Sequence, residues 1–161
     1  MIGDFRVGVG FDAHAFDSAR PLILGGVRIS DTHGLVGHSD ADVVIHVIID
    51  ALLGAAGLGD IGKLFPDTDA RFKDADSREL LRETNGLLSK HKWQVSNVDV
   101  TVICERPKIA SYSANMRTTI AEILLVTPDQ ISVKGTTTER LGFTGREEGI
   151  AAIANVAIYR E

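Results

Sequence analysis

The spacing of apolar and polar residues predicts a set of β-strands. Residues 5–11 alternate between the two classes, which is the period of a strand with one buried face. Two short apolar runs, 22–24 and 27–29, flank Gly25 and Gly26, and this arrangement is typical of a β-hairpin. Further strands are predicted over residues 95–103, 131–134 and 150–159.

Three segments have the pattern of helices. Ser39 is followed three residues later by Asp42 and then by an apolar run to Ala56, so Ser39 is the predicted cap of the first helix. Residues 76–79 predict the start of a second helix, and a third is predicted over 113–124. Polar and turn-forming residues predict loops over 57–74 and 136–149. The chain is thus predicted to be one α+β domain over residues 1–161, a mixed β-sheet with three helices packed on one face.

Composition narrows the class of protein. The formal net charge of -5 argues against a nucleic-acid-binding surface, which normally needs a basic face. A single cysteine, Cys104, cannot form an internal disulfide, and residues 1–6 do not begin a signal peptide, so we expect a bacterial cytoplasmic protein. The most apolar stretch, 43–58, is interrupted by His46 and Asp50, which predicts a buried helix and no membrane partner.

The residue types at three positions favour a metal site. Asp12 and His14 are two apart, so in an extended backbone both side chains point the same way. His46 lies in the apolar first helix, with Asp42 and Asp50 four residues to either side as candidates to orient its ring. Two nitrogens and one oxygen suit zinc and leave a fourth position open. The alternative is that Asp12 caps a turn, His14 is a surface residue and His46 a core histidine.

Two further segments carry groups that bind phosphate. His38 and Ser39 stand at the predicted start of the first helix, where backbone N–H groups and the helix dipole favour an anion. Residues 136–138 offer threonine hydroxyls, and Glu139 is a candidate ligand for a hard cation such as magnesium. The alternatives are that Ser39 is only a cap and that the threonines only favour a strand. Weaker candidates, equally typical of solvated loops, are residues 60–62, 67–69 and 106–108.

Taken together, these segments resemble the 2-C-methyl-D-erythritol 2,4-cyclodiphosphate synthase family of the non-mevalonate isoprenoid pathway. The resemblance covers nearly the whole chain in order. The matching segments are residues 10–14, 25–29, 38–43, 50–56, 59–69, 76–81, 97–101, 136–146 and 148–149.

The resemblance implies roles for individual residues. Asp12, His14 and His46 would hold zinc, and Glu139 would hold magnesium or manganese. His38 and Thr137 would stabilise the reacting phosphates. The other substrate-binding residues would be Ser39, Asp60, Ile61, Gly62, Phe65, Pro66, Asp67, Thr68, Asp69, Cys104, Glu105, Arg106, Pro107, Lys108, Ile109, Ala110, Thr136, Thr138, Phe143 and Arg146. Of these, residues 104–110 would form the cytosine pocket with 136–139, while Phe143 and Arg146 would line the central cavity of a homotrimer, beside Glu148.

The resemblance also implies a reaction. Members of the family cyclise 4-diphosphocytidyl-2-C-methyl-D-erythritol 2-phosphate and release CMP, in active sites between neighbouring subunits of a homotrimer. The small-molecule cytidine diphosphate substrate would be the partner. Two other functions use the same residues: a zinc-dependent phosphohydrolase, in which metal-bound water attacks, and a non-catalytic isoprenoid- or nucleotide-binding module.

The chain departs from the usual family pattern at two places. Residues 104–108 read Cys-Glu-Arg-Pro-Lys where relatives often have Ala-Gln-Ala-Pro-Lys. Base recognition there is expected to use mainly backbone groups, so a preference for cytosine should survive the change. Gly135 stands where alanine is common, and we expect it to loosen the end of its strand.

Overall fold

The computed structural model describes residues 3–161, so Met1 and Ile2, part of the segment examined for a signal peptide, lie outside it. The strands are β1 Asp4–Asp17, β2 Leu22–Leu24, β3 Val27–Ser30, β4 Gly34–Leu35, β5 Gln94–Ile103, β6 Ile131–Thr136 and β7 Gly149–Arg160. The helices are α1 Val43–Ala56, α2 Ile61–Leu64, α3 Ser77–Lys90, α4 Ser113–Leu124 and α5 Gly142–Gly145.

The sheet is mixed, as the sequence predicts. Its strand order is β4-β1-β7-β5-β6, and only the pair β5 and β6 is parallel. The predicted hairpin is confirmed as a separate two-stranded sheet of β2 and β3, with Gly25 and Gly26 both at positive φ in the turn. The first strand is longer than predicted, so Asp12 and His14 lie within β1 and not after it.

Helix α1 lies unusually close to strand β1. A Cβ atom on Gly10 would come within 2.1 Å of the Val47 carbonyl oxygen, and one on Gly8 equally close to that of Ala51. Only glycine permits this approach, because any side chain there would meet helix backbone. The close crossing brings the first turns of α1 over the middle of β1, where the metal candidates lie.

The predicted cap of α1 is wrong. The helix begins at Val43, and its N-cap is Asp42, whose carboxylate accepts a hydrogen bond from the Ile45 N–H at 3.0 Å. The same carboxylate accepts the backbone N–H groups of Gly25 and Gly26 at 2.9 and 2.7 Å, so it joins the hairpin turn to the helix. Burial and the neighbouring charge of Asp40 raise the pKa of Asp42 to about 6, against the opposing effect of these three donors.

The two predicted loops contain short helices. Helix α2 and a 3-10 turn, Ala70–Phe72, interrupt the segment 57–74, and α5 interrupts the segment 136–149. The prediction of three helices therefore holds only for the long ones, α1, α3 and α4. Among residues 3–161, no helix is long and apolar enough to cross a bilayer.

Candidate metal centre

Three candidate metal ligands converge where α1 crosses β1. The metal-ligating atoms of Asp12, His14 and His46 all lie within 4.8 Å of one another. His14 Nε2 is 2.8 Å from Asp12 Oδ2, and His46 Nδ1 is 3.3 Å from His14 Nε2 and 3.5 Å from that same carboxylate oxygen. Two imidazole nitrogens and one carboxylate oxygen around a common point fit zinc with a fourth position left for another ligand.

The surroundings of His14 prepare it to be a ligand. Its Nδ1 lies 2.6 Å from the carbonyl oxygen of Val36, which can only accept, so Nδ1 carries the proton and Nε2 is left for a metal. Burial has the largest single effect and lowers the pKa of His14, but the hydrogen bond with Asp12, the charge of Asp12 and the hydrogen bond with Val36 together outweigh burial and raise that pKa. Burial likewise opposes ionisation of Asp12, yet its interactions with the His14 and His46 rings hold its pKa well below the usual range.

The groups behind His46 differ from those predicted. Its Nε2 lies 3.1 Å from the hydroxyls of both Ser39 and Ser77. Neither predicted orienting acid contacts the ring. Asp42 is occupied by the hairpin turn and its own helix, and Asp50 accepts the Ile61 N–H at 3.0 Å, which ties α2 to α1.

Asp40 completes the group of residues behind His46 by accepting two hydrogen bonds from Ser77. The Ser77 hydroxyl donates to Asp40 Oδ1, and the Ser77 N–H donates to Asp40 Oδ2 at 3.0 Å. Sequence reasoning missed the contacts of Ser77 with His46 and with Asp40, because Ser77 stands at the start of α3 and is 31 residues from His46. No local pattern links positions so far apart in the chain.

The candidate phosphate residues His38 and Ser39 lie in a loop and not in the first turn of a helix. Arg20 holds this loop, since its guanidinium donates to the Gly37 carbonyl at 2.7 Å and to the Ser39 carbonyl. The His38 backbone carbonyl accepts the Asp74 N–H at 2.7 Å. This bond does not involve the imidazole, which is half-buried. The loop therefore borders the three ligands through Ser39.

A separate cavity of about 210 Å³ lies at the end of β5. It is lined by Cys104, Pro107, Lys108, Ile109, Ala110, Gly135, Thr136 and Thr137. Cys104 and Ile109 are buried, so most of the polar groups they offer are backbone atoms. Burial, helped by Glu105, raises the pKa of the Cys104 thiol to about 11, which keeps it protonated.

Of the departing residues 104–106, Cys104 lines this cavity, whereas Glu105 and Arg106 do not. Glu105 accepts the Arg140 N–H at 3.1 Å and Arg106 pairs with Glu147, so both side chains are engaged outside the cavity lining. Gly135 lies against Ile109, and a Cβ there would come within 2.8 Å of the Ile109 Cβ. Glycine at this position therefore permits close packing at the strand end.

The candidate magnesium residue stands beside this second cavity. Thr137 Oγ1 donates to Glu139 Oε1 at 2.9 Å, and Glu139 is exposed. Thr138 donates to the Leu141 carbonyl at 2.6 Å and contacts Thr144, so its hydroxyl serves the turn before α5. A single exposed carboxylate fits Mg²⁺ only when phosphate oxygens and water supply the other ligands.

The two groups of candidates lie apart within one chain. Ala13, Ala151, Ile103 and Thr136 form one row across β1, β7, β5 and β6. Three strand spacings separate the ends of this row, which is about 14 Å. One chain therefore does not bring the metal-ligand cluster on β1 and the groups after β6 to the same point.

The remaining candidates lie on surface segments. Asp60 caps α2 through the Lys63 N–H, and Asp69 caps the 3-10 turn that follows. Phe65 is buried with its ring against Phe72, so it can offer a substrate only its backbone atoms. Beyond these, Ile61 and Pro66 are half-buried, and Gly62, Asp67, Thr68, Phe143 and Arg146 are exposed. Arg146 pairs with Glu148 at 2.7 Å.

Solved structures share this fold. The bifunctional IspDF from Campylobacter jejuni matches 99% of this chain with a TM-score of 0.95 and 45% identity, and the match covers 43% of that longer chain. IspF of Plasmodium falciparum, in a complex with CDP, matches with a TM-score of 0.86 and 36% identity over 100% of this chain and 99% of its own.

Sequence relatives agree over the full length. The 2-C-methyl-D-erythritol 2,4-cyclodiphosphate synthase of Xanthomonas axonopodis pv. citri is 54% identical, covering 99% of this chain and 96% of its own. The synthase of Lysinibacillus sphaericus is 55% identical, covering 98% and 99%. The YgbB family model matches residues 5–159. The chain therefore belongs to the YgbB family, the family of these 2-C-methyl-D-erythritol 2,4-cyclodiphosphate synthases.

Proposed function

We propose that this chain converts 4-diphosphocytidyl-2-C-methyl-D-erythritol 2-phosphate to 2-C-methyl-D-erythritol 2,4-cyclodiphosphate and CMP. The 2-phosphate would attack the β-phosphorus in line, a P–O bond would form there, and the bond to the CMP oxygen would break. No side-chain nucleophile is needed. The observation that carries the proposal is the convergence of Asp12, His14 and His46 in a chain of this family.

The main barrier to this reaction is electrostatic, because two anionic groups must approach. Zinc held by Asp12, His14 and His46, and magnesium (or manganese) held by Glu139, would neutralise phosphate oxygens. The residues of the chain would supply orientation, which in favourable intramolecular reactions contributes roughly 7–11 kcal/mol.

Individual side chains have distinct proposed tasks. His38, with the Ser39 and Thr137 hydroxyls, would donate hydrogen bonds to phosphate oxygens and stabilise the charge that develops there. The cavity between residues 104–110 and Gly135 would take the cytosine, mainly through backbone N–H and carbonyl groups. Residues 60–62 and 65–69 would hold the methylerythritol hydroxyls.

The proposed active site combines two copies of the chain. Within one copy, β1, which carries Asp12 and His14, and the end of β6 lie about 14 Å apart across the sheet, so a neighbour would bring the two groups of residues together. An apolar strip on β1 supports such an assembly: Phe5, Val7, Val9 and Phe11 are between 59% and 71% exposed. We propose that this strip forms the inner contact of a homotrimer, with Phe143 and Arg146 beside its central cavity. Cytoplasmic localisation stays a prediction.

The Val9→Lys variant is expected to disrupt this assembly. Threefold symmetry would bring the added charges together in an apolar contact, where an unpaired charge is costly. Light scattering after size-exclusion chromatography should then give a trimer for the unsubstituted protein and a monomer for the variant. Leu125→Lys, at a position 84% exposed and away from β1, should leave the trimer intact. A trimeric Val9→Lys protein would contradict the proposed contact.

The Glu139→Ala variant is expected to lose turnover while keeping zinc. Removal of one electrostatic stabiliser of the reacting phosphates typically costs roughly 10²–10³-fold in rate. The measurement is CMP release against magnesium concentration, with zinc content determined by atomic absorption. Glu122→Ala removes another exposed carboxylate, on α4, and should behave as the unsubstituted protein. Loss of zinc from the Glu139→Ala protein would argue against separate sites for the two metals.

Product analysis tests the proposed reaction against its alternatives. The protein would be incubated with the diphosphocytidyl substrate, zinc and magnesium, and the products identified by phosphorus NMR. A cyclic diphosphate and CMP are expected. An open-chain phosphate would indicate the phosphohydrolase, and binding without CMP release would indicate the non-catalytic module.

A further inference from the structure

We propose that Ser77 and Asp40 are positioning residues that fix the tautomer of His46 so that its Nδ1 faces the metal. This inference rests on the metal centre of the proposed function. It concerns the hydrogen-bonded chain Asp40–Ser77–His46, which links the loop before α1, the start of α3 and the third ligand. Ser77 is fully buried, so water does not compete for its hydroxyl.

The direction of the hydrogen bonds follows from the carboxylate. Asp40 can only accept, so the Ser77 hydroxyl must give its hydrogen to Asp40 Oδ1. Only a lone pair of Ser77 Oγ is then left for the imidazole, 3.1 Å away. His46 Nε2 must therefore carry the proton and donate it, and Nδ1 keeps the lone pair that a metal needs.

The second neighbour of Nε2 does not decide the tautomer. Ser39 Oγ is also 3.1 Å from Nε2, and it accepts the Ala41 N–H at 3.2 Å. A serine hydroxyl can rotate to donate or to accept, so Ser39 tolerates either form of the ring. Ser77 lacks this freedom because Asp40 engages its hydrogen. The Asp40–Ser77–His46 chain therefore selects the form in which Nδ1 can bind.

The hydrogen-bonded chain Asp40–Ser77–His46 also fixes the position of the imidazole ring. Asp40 Oδ2 accepts the Ser77 N–H at 3.0 Å, so the carboxylate holds both the hydroxyl and the backbone of the first residue of α3. Any metal bound to Nδ1 would thereby be supported by α3, which contributes no ligand of its own.

The Ser77→Ala variant tests the hydroxyl alone. The backbone hydrogen bond from residue 77 to Asp40 remains, and alanine is tolerated at the first position of a helix, so the fold should be kept. We expect zinc affinity, measured on the whole protein by competition with a chromophoric chelator, to fall about 10–100-fold, the usual effect of losing such an outer partner. Nitrogen-15 NMR of the metal-free protein should show a loss of the pure Nε2–H form of His46.

Two further variants separate positioning from general loss of packing. Thr84→Val removes another fully buried hydroxyl of α3, which donates to the Leu80 carbonyl and is not part of the hydrogen-bonded chain Asp40–Ser77–His46. This variant should leave zinc affinity unchanged. Asp40→Asn keeps the shape of the carboxylate but can reverse the hydrogen bond. An amide N–H donated to Ser77 Oγ would turn the hydroxyl hydrogen toward Nε2 and favour the Nδ1–H form of His46.

The outcomes distinguish this inference from the proposed function. Unchanged zinc affinity and an unchanged His46 tautomer in both Ser77→Ala and Asp40→Asn would overturn the inference and leave the metal centre standing. Equal weakening in Thr84→Val would overturn it too, because packing would then be the cause. Failure of the unsubstituted protein to bind zinc would overturn the metal centre and this inference together.

Discussion

Replacement of His46 with alanine is expected to abolish tight zinc binding and to lower CMP release by roughly 10²–10³-fold or more, as for loss of a main electrostatic stabiliser. Only Asp12 and His14 would remain, and two ligands form too few bonds to hold zinc in a site that is open on the remaining sides. Affinity should fall by more than the roughly 10–100-fold associated with outer partners. Zinc content after dialysis and CMP release in added zinc measure the two effects.

A matched control uses another histidine. His91 lies exposed at the end of α3, apart from the metal-ligand cluster, so His91→Ala should keep both zinc and turnover. If the His46→Ala protein retained full zinc occupancy at full rate, the assignment of the ligands would be wrong.

The Gly10→Ala variant is expected to unfold more readily and to bind zinc weakly. The added methyl group would meet the Val47 carbonyl oxygen at 2.1 Å and the Ala51 nitrogen at 3.0 Å, and helix backbone cannot rotate away. Helix α1 must therefore move off β1, at a cost of about 1–3 kcal/mol or more in the free energy of unfolding. The shift would also carry His46 away from Asp12 and His14. Chemical denaturation at one fixed protein concentration and chelator competition measure both effects.

Gly54→Ala is the control on the same helix. A Cβ there meets nothing within 4 Å, so this substitution should be neutral or stabilising by up to about 1 kcal/mol, the helix propensity gained. Similar behaviour of the Gly10 and Gly54 variants would show that the close crossing of α1 and β1 has no energetic importance.

Local patterns predicted most elements of the fold. The bounds of α4 agree with the prediction, and the Gly25–Gly26 turn lies between the two predicted hairpin strands. The predicted start of α1 is wrong because Ser39 and Asp42 are both good cap residues, and the local sequence does not show which of them caps the helix. Asp42 prevails because its carboxylate also accepts the N–H groups of the hairpin turn, a contact 16 and 17 residues distant.

The candidate site could be predicted only in part for the same reason. Asp12 and His14 share one side of an extended strand, so their convergence follows from spacing. The partners of His46 do not follow from spacing. Helical spacing indicated Asp42 and Asp50, whereas Ser39 and Ser77 make the contacts. Positions brought together by packing leave no periodic signal in the chain.

The place of β7 in the sheet has a consequence for synthesis of the protein. Gly149–Arg160 pairs with β1 on one side and β5 on the other, yet this central strand is translated after both. At ribosomal speeds, β1 must wait on the order of ten seconds for its partner to appear. During that interval its unpaired edge and apolar side chains are open to aggregation. The nascent polypeptide should therefore depend on chaperone protection until its final strand emerges.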